Sequence, residues 1–209
     1  MSEELMLDDA AVRWSRTADE APVTVLLHGY GSDENDLFGL VSYLMEDATY
    51  AAVRAPLPPR WPMSGHSWYD IDEPGTRDAA GITRAARALI AWLDGRGLER
   101  VGLIGFSQGA AVALQTLRIA PERVRFAANL SGYAAAEERV EDARLTDLRV
   151  PVFWGRGSED EVIPRAAVDF TAGWLPTHSA LTGRVYPGLG HAVSGEELDD
   201  LRHFLAKHA

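Results

Sequence analysis

The stretch from Val101 to Ile119 constrains the fold more than any other. Val101-Gly102-Leu103-Ile104 offers no polar face, which suits a strand covered on both sides, as at the centre of a parallel sheet. Ala110 to Ile119 reads as an Ala/Leu-rich helix that stops before Pro121. Only the short turn Gly105-Phe106-Ser107-Gln108-Gly109 separates the two. The same order of apolar run, Gly/Pro loop and helix recurs along the chain. Val23 to Leu27 ends at His28-Gly29-Tyr30-Gly31, and a helix is expected from Asp36 to Met45. Tyr50 to Val53 leads into a Pro/Gly-dense loop from Ala55 to Gly65. Asp78 to Asp94 is the clearest helix, with Ile82, Ala86, Leu89 and Leu93 on one face and Gly95-Arg96-Gly97 at its end. Arg125–Leu130, Val150–Trp154 and Arg184–Tyr186 read as further strands. A last helix starts at Ser194, where Ser194-Gly195-Glu196-Glu197 has the form of a capping box, and Leu198, Leu201 and Leu205 give it a buried stripe. Strands that alternate with helices predict an α/β fold whose strands run parallel.

A chain of 209 residues suits one domain, here expected to span residues 1–209. The formal net charge of −11 disfavours nucleic acid or an anionic membrane as a partner. With no cysteine, disulfides, thiolate metal sites and a Cys nucleophile are all ruled out. The first residues lack the basic start and apolar run of a signal peptide, and no stretch approaches the length of a membrane span, so a cytoplasmic protein without membrane insertion is expected.

In an open parallel sheet, sites form at the carboxyl ends of strands. The residues just past each apolar run are His28-Gly29, Ser107, Ser131, Gly157 to Glu161, and His191. Gly-x-Ser-x-Gly between a strand and a helix lifts a serine clear of the sheet on a sharp turn. With eleven serines and 19 glycines in the chain, the bare string is expected by chance roughly 0.1 times, so its strand–turn–helix setting carries most of the information. The competing reading is a glycine-rich anion-binding turn with a bystander serine. The elbow points to an α/β-hydrolase fold, a mostly parallel central sheet of about seven strands flanked by helices, with Ser107 as nucleophile.

Such a nucleophile needs a base and an acid, which follow it in the order Ser, Asp/Glu, His. Four histidines follow Ser107. His203 and His208 belong to the last helix and its tail, and His178 to a Pro/Thr/Ser loop. His191, after Gly188-Leu189-Gly190, is the candidate base. The acid follows the strand Val150–Trp154, where Glu159, Asp160 and Glu161 compete; Asp160 is preferred at the turn before Val162-Ile163-Pro164. Two backbone N–H groups should meet a developing oxyanion: that of Gln108, and one from the loop after the first central strand, with Tyr30 as candidate. His28 precedes the nucleophile and is expected to shape that loop. Trp61, Met63 and Trp68, in the Pro-rich loop, either line an acyl site or cover the edge of the core.

Together these segments resemble the phospholipase/carboxylesterase family, which includes acyl-protein thioesterases and small bacterial carboxylesterases. The resemblance rests on Leu27-His28-Gly29-Tyr30-Gly31, Ala55-Pro56 with Trp68-Tyr69-Asp70, Gly105-Phe106-Ser107-Gln108-Gly109, Ser158-Glu159-Asp160-Glu161-Val162-Ile163-Pro164 and Gly190-His191, and runs from about Val23 to the C-terminus. It implies a Ser107-Asp160-His191 triad, oxyanion donors near Tyr30 and Gln108, and neither metal nor organic cofactor. The chain departs from the family where a His-Gly pair is usual and Trp154-Gly155-Arg156-Gly157 stands instead, and in the short tract from Arg60 to Trp68. The expected activity is hydrolysis of short- to medium-chain acyl esters or thioesters. A lactone or dienelactone hydrolase and a non-catalytic ligand-binding homologue are the alternatives. An apolar rim beside the pocket would suit a homodimer, although no seam is legible.

Overall fold

The computed structural model describes residues 5–17, 22–45, 47–62, 64–71, 78–137 and 139–209. Among the described residues, seven strands form one sheet: β1 (Arg13–Trp14), β2 (Val23–Leu27), β3 (Thr49–Val53), β4 (Val101–Phe106), β5 (Val124–Leu130), β6 (Pro151–Gly157) and β7 (Ala180–Tyr186), in the order β1-β3-β2-β4-β5-β6-β7. Only β1 runs antiparallel to its neighbour. The central strands are buried on both faces because helices cover both. On one side α2 (Ala79–Gly95), α3 (Gln108–Ile119), α4 (Asp142–Leu148) and α5 (Arg165–His178) close over Val25, Leu103 and Ala127. On the other side α1 (Asn35–Phe38) and α6 (Gly195–His208) pack on Leu26, Ile104 and Phe153.

The helix ends follow local chemistry. Asp78 caps α2 by accepting from the amides of Ala80 and Gly81, and Gly97, at φ +65°, turns the chain away after it. The helix expected from Asp36 to Met45 does not run through. The chain makes the four residues of α1 and then a 3₁₀ turn at Val41–Tyr43. Gly39 sits at the break, and its amide is shared among the carbonyls of Asn35, Asp36 and Leu37, so the helical ladder loses its pitch there. β7 starts four residues earlier than expected. It is a largely exposed edge strand, and its first half carries no apolar alternation to read. His178 ends α5 rather than lying in a loop; it stacks on Trp174 with ring centroids 4.7 Å apart.

Arg118 of α3 is buried and ties the helical layer together. Its guanidinium donates to both oxygens of Asp142 at 2.5 Å and to the Ala135 carbonyl at 2.9 Å, and lies 4.9 Å from the Trp174 ring centroid. Burial pushes the Asp142 carboxyl up, but the hydrogen bonds and charge of Arg118 outweigh it and leave the group below its ordinary value.

Ser194 caps α6 as the sequence pattern requires, accepting from the Glu197 amide at 3.1 Å. The Glu197 side chain, however, turns inward. It is fully buried against β6 at Gly155, where a side-chain carbon would lie 2.1 Å from Oε1. Neither carboxyl oxygen has a hydrogen-bond partner of good geometry among the described residues. Burial pushes the group up to about 7, the Ser194 amide opposes this in part, and the charge of Asp200 adds to it. Because the folded value lies above the ordinary 4.5, ionised Glu197 works against the fold above pH 7, and that cost fades as the pH falls from about 7 toward 4.5. The shift corresponds to a penalty on the order of 3 kcal/mol. Glu197→Gln is therefore expected to raise the thermal midpoint at pH 8, with the gain shrinking toward pH 5; melting curves across that range test it.

Candidate active site

Strand β4 delivers the chain to Ser107, whose backbone adopts φ 52°, ψ −114°. A non-glycine residue at positive φ is costly, about 1–3 kcal/mol, and persists only where its surroundings hold it. Here they do. A side-chain carbon at Gly105 would lie 2.5 Å from the amide nitrogen of Ala110, and one at Gly109 would lie 2.1 Å from the Leu27 carbonyl oxygen. The first turn of α3 thus sits directly on β4 and β2, and the amide of Ser107 donates to Leu130 at 2.9 Å. The turn leaves the Ser107 hydroxyl at the sheet's carboxyl edge.

There it meets His191, from the loop after β7, which in turn meets Asp160, from the turn after β6. His191 Nε2 lies 2.9 Å from Ser107 Oγ, and His191 Nδ1 lies 2.8 Å from Asp160 Oδ2. The second carboxylate oxygen of Asp160 accepts from the amides of Val162 at 3.0 Å and Ile163 at 3.2 Å. Of the three acidic residues after β6, Asp160 alone turns inward; Glu159 and Glu161 face solvent. The imidazole of His191 also rests on Phe106, with ring centroids 4.9 Å apart. Its loop is pinned to the turn after β6, with Glu159 N donating to Leu189 at 2.9 Å and Gly188 N to Ser158 Oγ at 2.9 Å.

Gln108 opens α3, and Tyr30 follows β2. Both line the same cleft of about 240 Å³ as Ser107 and His191. The apolar walls are Ile71, Phe106, Tyr133, Val162 and Ile163, with Ser32 and Asp36 as polar members. His28 is buried below. Its Nε2 accepts from the Ala55 amide at 3.0 Å, so Nδ1 carries the proton and donates to the Gly29 carbonyl at 2.7 Å. Burial holds His28 below its ordinary value, hence neutral, in the loop-shaping position expected of it.

The tryptophans of the Pro-rich loop do not wall the cleft. Trp68 is completely buried in the core beside His28, and its indole N–H is committed to the His28 carbonyl at 2.8 Å. Trp61 is 93% exposed and stands away from the lining. Met63 lies outside the described residues. An aromatic in a Pro-rich loop carries no sequence sign of which way it faces. Tyr133, Val162 and Ile163 take the wall positions instead. Phe106 was legible in principle, because the residue before the elbow serine must flank it. Tyr133, two residues past Ser131 at the end of β5, had no such sign. His178, His203 and His208 stay away from the cleft.

A seven-stranded, mostly parallel sheet with a strained serine at its central strand–helix turn defines the chain as an α/β-hydrolase. The chain belongs to the phospholipase/carboxylesterase family, whose model matches residues 8–209. It is thereby a serine hydrolase of the carboxylic ester class. It is 29% identical over 220 residues to acyl-protein thioesterase 1 of Kluyveromyces lactis, covering 94% of this chain and 96% of that protein. The crystal structure of esterase PE8 superposes with a TM-score of 0.80 at 27% identity, over 98% of this chain and all (100%) of that one. A carboxylesterase from Mesorhizobium loti, 23% identical, shares the fold at a TM-score of 0.80 over 98% of this chain and 99% of that one. Among the described residues, no helix is long and apolar enough to cross a membrane.

Gly157 supplies a test of how the His191 loop is held. A side-chain carbon there would lie 1.9 Å from the Leu189 carbonyl oxygen and 2.4 Å from that of Gly190. Gly157→Ala is expected to push the loop outward and to lower ester turnover by about a hundredfold, the scale of a misplacement of roughly 1 Å. Steady-state kinetics with a p-nitrophenyl ester, beside a crystal structure of the variant, checks it.

Proposed function

We propose that this chain is a serine carboxylesterase that hydrolyses short- to medium-chain acyl esters or thioesters through an acyl-enzyme, acting as one domain. The observation that carries the reading is the run of hydrogen bonds from Asp160 through His191 to Ser107. Ser107 Oγ attacks the acyl carbon while His191 Nε2 takes its proton. Asp160 accepts from Nδ1–H, which holds the tautomer and stabilises the imidazolium. The tetrahedral oxygen is met by the backbone N–H groups of Gln108 and Tyr30, with the positive end of α3 behind the first. His191 then protonates the leaving alcohol or thiol. Water, deprotonated by the same imidazole, releases the acid and frees Ser107. The modest volume and apolar walls of the cleft favour an acyl group of limited length over a long lipid chain.

Ser107→Ala is expected to lower p-nitrophenyl butyrate turnover by at least about a thousandfold with the melting curve little changed, and to abolish labelling by a fluorophosphonate probe. Undiminished turnover in that variant would overturn the assignment. Asp160→Asn should cost about 10⁴-fold in kcat, the scale seen when the orienting acid of such a triad is lost. Glu159→Gln, facing solvent, should leave kcat within about twofold. Equal effects from the two would place the acid elsewhere.

A further inference from the structure

We infer that Trp68 and the side chain of Gln108 are positioning residues that fix the spacing between the two oxyanion donors; this rests on the serine-hydrolase reading above. The two donor amides belong to separate elements, Tyr30 to the loop after β2 and Gln108 to the start of α3. Direct backbone packing at Gly109 brings these elements together, and a chain of buried hydrogen bonds locks them. Gln108 Oε1 accepts from the Trp68 amide at 2.7 Å, and Gln108 Nε2 donates to the Tyr69 carbonyl at 2.6 Å. The Trp68 indole N–H then donates to the His28 carbonyl at 2.8 Å. The same segment grips the donor loop again, with Gly31 N donating to the His66 carbonyl at 2.9 Å and His66 N to the Ser32 carbonyl at 2.7 Å.

Tyr30 therefore sits between two anchored points, His28 on one side and Gly31-Ser32 on the other. Both anchors lead to the segment that the Gln108 side chain holds. One residue thus offers its backbone N–H to the oxyanion and uses its side chain to set where the opposing donor stands. Gln108 and Trp68 are almost completely buried, so water does not compete for these bonds. Preorganised donors act only when aimed at the oxygen of the tetrahedral species, not at the ground-state carbonyl. Slack in this chain of bonds should therefore appear in kcat and leave substrate binding alone.

The test uses Trp68→Phe, which keeps an aromatic ring but removes the indole N–H, and Gln108→Met, which keeps length but removes both side-chain bonds. Each variant is compared with the parent enzyme on p-nitrophenyl butyrate and with a short-chain trifluoromethyl ketone. In that complex Ser107 Oγ adds to the ketone carbon, its proton passes to His191, and the ketone oxygen becomes the oxyanion. The expected result is a fall in kcat of about ten- to a hundredfold, an equal loss of affinity for the ketone, and an unchanged KM. Full kcat and full ketone affinity in folded variants would overturn the inference. So would a rise in KM with ketone affinity intact, which signifies a role in the acyl pocket. If Trp68→Phe does not fold, Gln108→Met decides alone. Fluorophosphonate labelling of the parent enzyme separates the two levels: no labelling at Ser107 sinks the serine-hydrolase reading, whereas labelling with unaffected variants sinks the brace only.

Discussion

At the junction of β4 and α3 the helix backbone lies against strand backbone on two sides, with no room for a side chain at Gly105 or Gly109. That close approach forces the sharp turn at Ser107 and holds its backbone where an L-residue does not rest by itself. The strain is supported by what surrounds it: a buried helix face, the paired strands β4 and β5, and the bond from Ser107 N to Leu130. The site depends on it because the same turn aims the hydroxyl outward and presents the first amide of α3 beside it.

The rest of the site is an exercise in spanning a sheet. Ser107 follows β4 and Asp160 follows β6, and β5 lies between them. Neighbouring strands are roughly 4.8 Å apart, so the two strand ends are separated by roughly 10 Å. A serine and an aspartate reaching toward each other leave a gap that one imidazole fills. His191 arrives after β7 and is carried back over the sheet edge by a loop docked on Gly157. Parallel pairing is what makes this workable, because every strand from β2 to β7 presents its carboxyl end to the same edge.

The buried polar groups show different solutions to one problem. Arg118 surrounds its guanidinium with the carboxylate of Asp142 and the carbonyls of Ala135 and Glu137. His28 gives up its charge and serves as one acceptor and one donor. Among the described residues Glu197 has neither a counter-charge nor a partner of good geometry, and its proton affinity rises instead. It fits against β6 only because Gly155 carries no side chain there.

The alternation of strands and helices, the elbow at Ser107 and the order of Asp160 and His191 after it were legible in the chain by itself. They rest on apolar periodicity and on backbone rules that act over a few residues. The early end of α1, the exposed start of β7 and the inward turn of Glu197 were not legible, because local pattern favoured another outcome and the folded surroundings decided. The clearest case is Trp68. Its segment advertises an aromatic loop beside a cleft, yet its indole belongs to His28, 40 residues away, and its amide to Gln108, 40 residues the other way. Sequence alone determined that a serine sits on a sharp turn with Asp160 and His191 after it in the chain. Tertiary structure alone decided which side chains wall the cleft, because a side chain's burial depends on partners that proximity along the chain does not reveal.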